Sequence, residues 1–236
     1  MLRHPASGKF VFSDGKAVKE LETELKLSYR SKEELLSVPD KKWFKKYLLP
    51  ESPVRKELIT SYLDTPDYII RGSGAVIRVR EVVGEKYIHT VKVSSGGSDG
   101  LHQRFEWNFK TDEEHFNVPV FLEQAKADED PFSILQSVLL PAVDSDLICI
   151  LRTRFTRITY LSGIGHSILE IALDFGEIYA GDKREEICEM EIELLEGDVR
   201  DLLALGQIVI AKSSCTPEDT SKYGRGLRLL NPEEAI

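Results

Sequence analysis

Period-2 alternation of apolar and polar residues is the strongest regularity in this 236-residue chain. Strand candidates fall near 20–29, 58–63, 74–82, 86–93, 101–109, 148–161, 166–174 and 187–196. In Leu21-Glu22-Thr23-Glu24-Leu25-Lys26-Leu27, successive strand side chains face opposite sides. Glu22, Glu24 and Lys26 therefore share one face and Leu21, Leu25 and Leu27 the other. Gly72, Gly74 and Gly84 punctuate the early hairpins, and the stretch 94–100 reads as a long flexible turn. Helices are expected over Lys32–Val38, Lys41–Leu48, Glu113–Lys126, Pro131–Leu140 and Val199–Ala211. Ser31 caps the first of these, with Glu34 placed as in a capping box. No internal repeat, low-complexity tract or boundary-type linker interrupts the pattern. The economical reading is one α+β domain rich in antiparallel sheet.

The polar faces are unusual because they are almost all formal charge. Arg78 and Arg80 lie opposite Ile77 and Val79, and Lys92 lies opposite Val91 and Val93. Arg104 and Glu106 face away from Phe105 and Trp107, and Glu170 and Asp174 from Ile171 and Leu173. Glu189, Glu191 and Glu193 oppose Met190, Ile192 and Leu194. One such strand is an ordinary solvated face. Repetition, with acidic first and last strands and basic middle strands, points instead to a shared surface. A closed or nearly closed sheet would turn these faces inward and leave the apolar faces to helices outside. Burying so many charges unpaired would be prohibitive, so the interior reads as a wet channel holding a ligand and ions. Lysines and arginines neutralise phosphate oxygens, and carboxylates hold hard cations such as Mg²⁺ or Mn²⁺.

Composition narrows the partner. The net charge of −9 argues against a general nucleic-acid or membrane-surface binder, so cations for an anionic substrate must be gathered locally. Cys149, Cys188 and Cys215 are too few and too dispersed for a disulfide framework or a zinc site. With neither a membrane-length apolar run nor a signal-peptide stretch at 1–16, a cytoplasmic protein is expected. Ser7-Gly8-Lys9 lacks the earlier glycine of a phosphate loop, and the five histidines show no ligand spacing. Trp43 and Trp107 read as core.

Glu22-Thr23-Glu24-Leu25-Lys26 matches the ExExK signature of the CYTH domain, the triphosphate tunnel metalloenzyme family. Tyr62–Asp67, Arg78-Val79-Arg80, Lys92, Gly100–Trp107, Arg154–Arg157, Glu170–Asp174, Glu189–Glu193 and Ser221–Gly226 resemble the family's further motifs, in order. The resemblance implies an eight-stranded antiparallel β tunnel, a closed barrel with helices packed outside, over residues 19–230. Residues 1–18 would be an extension and 231–236 a tail. It also implies two divalent cations, Mg²⁺ or Mn²⁺. Glu22, Glu24, Asp174, Glu189 and Glu191 become candidate metal ligands, with Glu106, Glu170 and Glu193 in support. Lys26, Arg78, Arg80, Lys92, Arg104, Arg157 and Lys222 become candidate phosphate ligands. Glu22, Glu24, Lys26 and Lys92 are the candidates nearest the chemistry. Arg152 and Arg154 share a strand face that Arg157 does not, so either a bulge changes the parity or Arg157 faces outward. The family pattern favours Arg157, with Arg154 the second choice. The Asp99–Trp107 stretch and the long acidic strand most resemble the bacterial inorganic triphosphatase branch. The implied reaction is hydrolysis of tripolyphosphate to phosphate and pyrophosphate. Thiamine or nucleoside triphosphate hydrolysis, adenylate cyclisation and non-catalytic polyphosphate binding are the alternatives.

Overall fold

The computed structural model describes residues 18–98, 100–125 and 129–230. The expected extension and tail, Ser7-Gly8-Lys9, and Asp99 lie outside them. Eight strands, with helices between β1 and β3, between β5 and β6 and after the last, make up the fold: β1 (Val18–Tyr29), β2 (Val54–Asp64), β3 (Ala75–Val82), β4 (Tyr87–Ser98), β5 (Leu101–Thr111), β6 (Ile148–Ile164), β7 (Ser167–Ala180) and β8 (Lys183–Glu196). A short β9 (Cys215–Pro217) pairs beside the end of β1. The order β5-β4-β3-β2-β6-β7-β8-β1 returns on itself because β1 pairs with both β8 and β5. Every pairing is antiparallel. The result is a closed eight-stranded barrel.

Helices cover the outside where the apolar face of each strand points. Leu25 and Leu27 of β1, Ile171 and Leu173 of β7, and Met190 and Ile192 of β8 are buried in one outer core. That core includes Leu35 of α1 (Lys32–Ser37), and Leu202, Leu205 and Val209 of α6. Helix α6 (Val199–Lys212) starts at Asp198, whose carboxylate accepts from Arg200 N. A second outer core joins Ile77, Val91 and Trp107 to two helices between β5 and β6, α4 (Val118–Ala125) and α5 (Glu129–Leu139). Between β1 and β3 lie two single turns, α2 (Lys42–Lys45) and α3 (Ile69–Gly72), and α7 (Lys222–Leu230) ends the described chain.

Local chemistry sets several boundaries that differ from the sequence expectation. The expected helix over Glu113–Lys126 begins only at Val118, because Asn117 Oδ1 accepts from Val120 N at 3.0 Å and Pro119 fits a first turn. The stretch 94–98 is strand rather than turn, continuing the pairing with β5 through a register shift at Ser94/Gly96. Ser31 Oγ accepts from Glu34 N at 3.2 Å, but the Glu34 carboxylate takes Ser214 N instead of closing the capping box. Asp64, fully buried, accepts from Thr65 N, Ile70 N and Arg71 N and so anchors α3.

Gly176 of β7 faces Phe155 of β6 across the inner wall. A Cβ there would lie 2.5 Å from Phe155 Cα and nearer still to the Arg154 carbonyl. Gly176→Ala is therefore expected to destabilise the barrel by about 1–3 kcal/mol through overpacking. A lower urea midpoint at an unchanged slope would record it.

Candidate active site in the tunnel

Closure turns the charged strand faces onto one cavity of about 740 Å³. Because β1 sits beside β8, the carboxylates of β1, β7 and β8 form one continuous wall. Lysines and arginines of β3, β4 and β5 face it, and Arg157 of β6 reaches across to its acidic neighbours. At one end, α7 and the segment before it lie across the barrel. His102 Nε2 there donates to the Glu218 carbonyl at 3.1 Å, and the Tyr223 ring packs on Tyr62 with centroids 5.3 Å apart.

The acidic wall is densely neutralised. Arg157 grips Asp174 through two bonds of 2.7 and 2.6 Å and also bonds Glu191. Lys222 Nζ donates to Asp174 at 2.7 Å, to Glu189 at 2.5 Å and to Glu191 at 2.9 Å. Arg225, one helical turn on, bonds Glu189 at 2.9 Å and Glu185 at 2.5 Å. Burial works against the Lys222 charge, but Asp174, Glu189 and Glu191 outweigh it and raise the ammonium pKa. Burial likewise favours neutral Glu191, yet Lys222, Arg157 and Lys26 hold its carboxyl well below the usual range. Glu189 differs: burial prevails over Lys222 and Lys26 and pushes it up. Glu24 is held below the usual range because Lys26, Lys92 and Arg104 outweigh burial and Glu191. Its nearest cations stand at 3.7 Å (Lys26) and 3.9 Å (Arg104).

On the basic wall, Lys92 joins Glu22 at 2.7 Å and Glu106 at 2.5 Å, and Arg78 donates to Glu106 at 3.0 Å. Arg80 is different. It is 9% exposed, and its only hydrogen bond among the described residues is a 3.1 Å donation to the neutral Thr60 hydroxyl. Burial, then Arg78 and Arg157, push its pKa down to about 9. Arg80, Arg157 and Lys222 also converge on the Phe155 ring, at 5.7, 5.8 and 5.0 Å from its centroid. Positive charge is thus gathered at one depth of the tunnel.

Most residues singled out in the sequence meet here. Glu22, Glu24, Lys26, Arg78, Arg80, Lys92, Arg104, Glu106, Arg157, Glu170, Glu191, Glu193 and Lys222 line the cavity. Asp174 and Glu189 are fully buried behind Lys222. Arg154 is the exception and the correction. It lies exposed on the outer face, opposite Glu177, while Arg157 points inward. The β6–β7 register runs without a shift through both, so no bulge is involved: Arg152 and Arg154 simply belong to the solvent face. Arg225 was not singled out, although its spacing of three from Lys222 places both on one helix face. Tyr62 and Asp64, read only as part of a motif, pack α7 and anchor α3.

A family model for the CYTH domain matches residues 20–225. The chain belongs to the CYTH domain family. An inorganic triphosphatase of Haemophilus influenzae is 28% identical over 169 residues, which is 72% of this chain and 45% of that protein. The chain thus spans about half the length of this curated relative. A Hippeastrum protein, described as a candidate adenylyl cyclase with a dominant triphosphatase activity, shares the fold. Its TM-score is 0.61 at 19% identity, covering 90% of this chain and 99% of that one. A candidate adenylate cyclase of Bacillus halodurans follows at TM-score 0.52 and 18% identity, covering 86% and 95%.

Membership of the CYTH family implies a divalent metal, and the acidic wall fits one. Asp174, Glu189 and Glu191 offer oxygens all within 4.8 Å of one another, a hard-donor set suited to Mg²⁺ or Mn²⁺. The Lys222 ammonium already sits among them as a cation. Lys222→Met is expected to cost about 3–5 kcal/mol, since it strands buried carboxylates. Added Mn²⁺ should restore much of the melting temperature of this variant while moving the unsubstituted protein far less. Thermal melts with and without metal check both.

Proposed function

We propose that this CYTH chain is a divalent-metal-dependent triphosphatase that hydrolyses inorganic tripolyphosphate to phosphate and pyrophosphate. The observation that carries the reading is Arg80, a buried guanidinium with a neutral partner, beside Arg78 and Arg157. Leaving such a charge uncompensated is costly, and a polyanion with several closely spaced oxygens removes the cost. A lone carboxylate or sulfate would satisfy one guanidinium; a triphosphate reaches Arg78, Arg80, Arg157 and the lysines together. The similarity to the Haemophilus inorganic triphosphatase supports the same choice.

The roles follow from placement. Arg78, Arg80 and Arg157 fork onto phosphate oxygens, and Lys26, Lys92 and Lys222 add point charges around them. Glu22, Glu24, Asp174, Glu189 and Glu191 would hold the metal, with Glu106, Glu170 and Glu193 orienting their neighbours. When bound, Mg²⁺ or Mn²⁺ supplies charge neutralisation and a lowered pKa for the attacking water. The chain's own part is to align the phosphorus to be attacked and to neutralise the charge on the leaving pyrophosphate. Arg104, near Glu24, belongs with the phosphate ligands.

A phosphate-release screen over tripolyphosphate, thiamine triphosphate, ATP and pyrophosphate, with Mg²⁺ and with Mn²⁺, tests the reading. Tripolyphosphate should give the highest kcat/KM, and Arg80→Ala should lower it by about 10²–10³-fold, the scale for one lost transition-state donor. Arg80→Lys should recover part of that loss. Cyclic AMP formed from ATP without phosphate release would reject the proposal. Tight tripolyphosphate binding with no turnover, unchanged in Glu24→Ala, would reject it in favour of a binding module.

A further inference from the structure

Lys222 is the first residue of α7, so no earlier helical turn fixes it and its backbone is set by the strap that leads in from β9. Thr216, Pro217 and Asp219 of this strap are exposed, so apolar burial does little to hold it. Hydrogen bonds to the starts and ends of two strands hold it instead. Glu218 N donates to the Lys26 carbonyl at 3.0 Å, and the Glu218 carbonyl accepts from His102 Nε2 at 3.1 Å. Lys26 N donates in turn to the Gly100 carbonyl at 2.8 Å, and Gly100 N donates to the Asp219 carboxylate. Two further bonds carry this order along the chain to α7. Thr220 N donates to the Glu218 carboxylate at 2.7 Å, and Ser221 Oγ accepts from Gly224 N at 3.1 Å.

The strap is thus bonded to the peptide groups of Lys26 itself, and Lys26 and Lys222 meet again inside the tunnel. Their ammonium groups converge on the same Glu191 oxygen, at 3.9 and 2.9 Å. Helix α7 packs on β6, β7 and β8, whereas Lys26 belongs to β1, so the pinned Glu218 ties the two lysines across the barrel. A lysine ammonium is a compact charge on a flexible four-carbon stem, and its reach follows its backbone. Gly100 and His102 hold the pin in place from β5 and the turn before it. Gly100 has φ +81°, and a Cβ there would lie 2.7 Å from the Lys26 carbonyl oxygen and 3.3 Å from Glu218 N. Any side chain at 100 would therefore press into the bond that joins them. His102 is buried, lines the cavity and reaches the strap from the inner face of β5.

We propose that Gly100 and His102 clamp the strap at Glu218 and thereby set the spacing of Lys222 from Lys26 around a bound anion. His102 is a positioning residue: it acts on the anion through Lys222 and not by touching it. The identity of that anion, tripolyphosphate, rests on the triphosphatase reading; the clamp itself rests on the bonds at Glu218.

Tripolyphosphate affinity, measured by calorimetry in metal-free buffer where no turnover occurs, tests the clamp. His102→Leu removes the donor to Glu218 and should weaken binding by about tenfold, the scale of one hydrogen bond to a charged group. Gly100→Ala should do the same by a separate route. His102→Gln, whose amide can donate from nearly the same place, should restore most of the affinity. In a Lys222→Met background, His102→Leu and Gly100→Ala should each change the affinity by less than about twofold, the signature of a residue that acts through Lys222. Calorimetric stoichiometry counts only folded molecules, so protein lost to misfolding does not imitate these results. Unchanged affinity in either single variant overturns the clamp. An equal loss with Lys222 already removed also overturns it, because His102 or Gly100 would then act on the anion or the fold directly. Unsubstituted protein that does not bind tripolyphosphate overturns both the clamp and the triphosphatase reading. Binding without hydrolysis in Mg²⁺ or Mn²⁺ overturns the triphosphatase reading alone, and the affinities then still decide the clamp.

Discussion

The structure depends on β1 being shared. Its first part pairs with β5 and its second with β8, and that double pairing turns an open sheet into a tunnel. In an open sheet, the Glu, Lys and Arg faces would lie in water, where each charge is cheap and weak. Closure removes the water from between them, so every inward charge must find an opposite charge or a ligand. It also places the acids of β1 beside those of β7 and β8. The segregation by strand seen in the sequence thereby becomes a segregation by wall.

Neutralisation is uneven along the tunnel. Asp174, Glu189 and Glu191 are held by Arg157, Lys222 and Arg225, two of them delivered by α7. The helix that crosses one end of the tunnel is thus fastened by the same carboxylates that suit a metal. On the opposite wall Arg78 and Lys92 share Glu106, while Arg80 has only Thr60. The first arrangement leaves each buried carboxylate compensated, and the second leaves Arg80 without an anionic partner among the described residues, which is what the triphosphatase proposal uses. Arg80 and Lys222 both lie close to the Phe155 ring, 5.7 and 5.0 Å from its centroid.

Strand periodicity made the barrel legible because side-chain alternation survives any detail of turn geometry. All eight strands lie where alternation puts them, and it also orients Glu22, Glu24, Lys26, Arg78, Arg80, Lys92 and Glu106 together. The same rule, applied to β6, leaves two alternatives, a bulge or an outward Arg157, and the unshifted register puts Arg157 inward with Arg152 and Arg154 on the opposite face. Helix limits were less legible, since α4 is set by an Asn117 cap and a proline and not by apolar spacing. Arg225 and the Lys222 contacts were illegible for another reason. They depend on how a terminal helix docks against strands far away in sequence, and no local pattern encodes that docking.

Buried ion pairs stabilise poorly, so a barrel lined with them needs its stability from elsewhere. Here it comes from the other face of the same strands. Leu25 and Leu27 alternate with Glu24 and Lys26, and Ile171 and Leu173 with Glu170 and Asp174, and all four apolar residues are buried under α1 and α6. Ile77, Val91 and Trp107 do the same beneath α4 and α5. These strands therefore separate two tasks across their thickness: hydrophobic burial outside, charge placement inside. That separation lets the inner charges be arranged for a ligand at some cost in stability, because the outer cores do not depend on them.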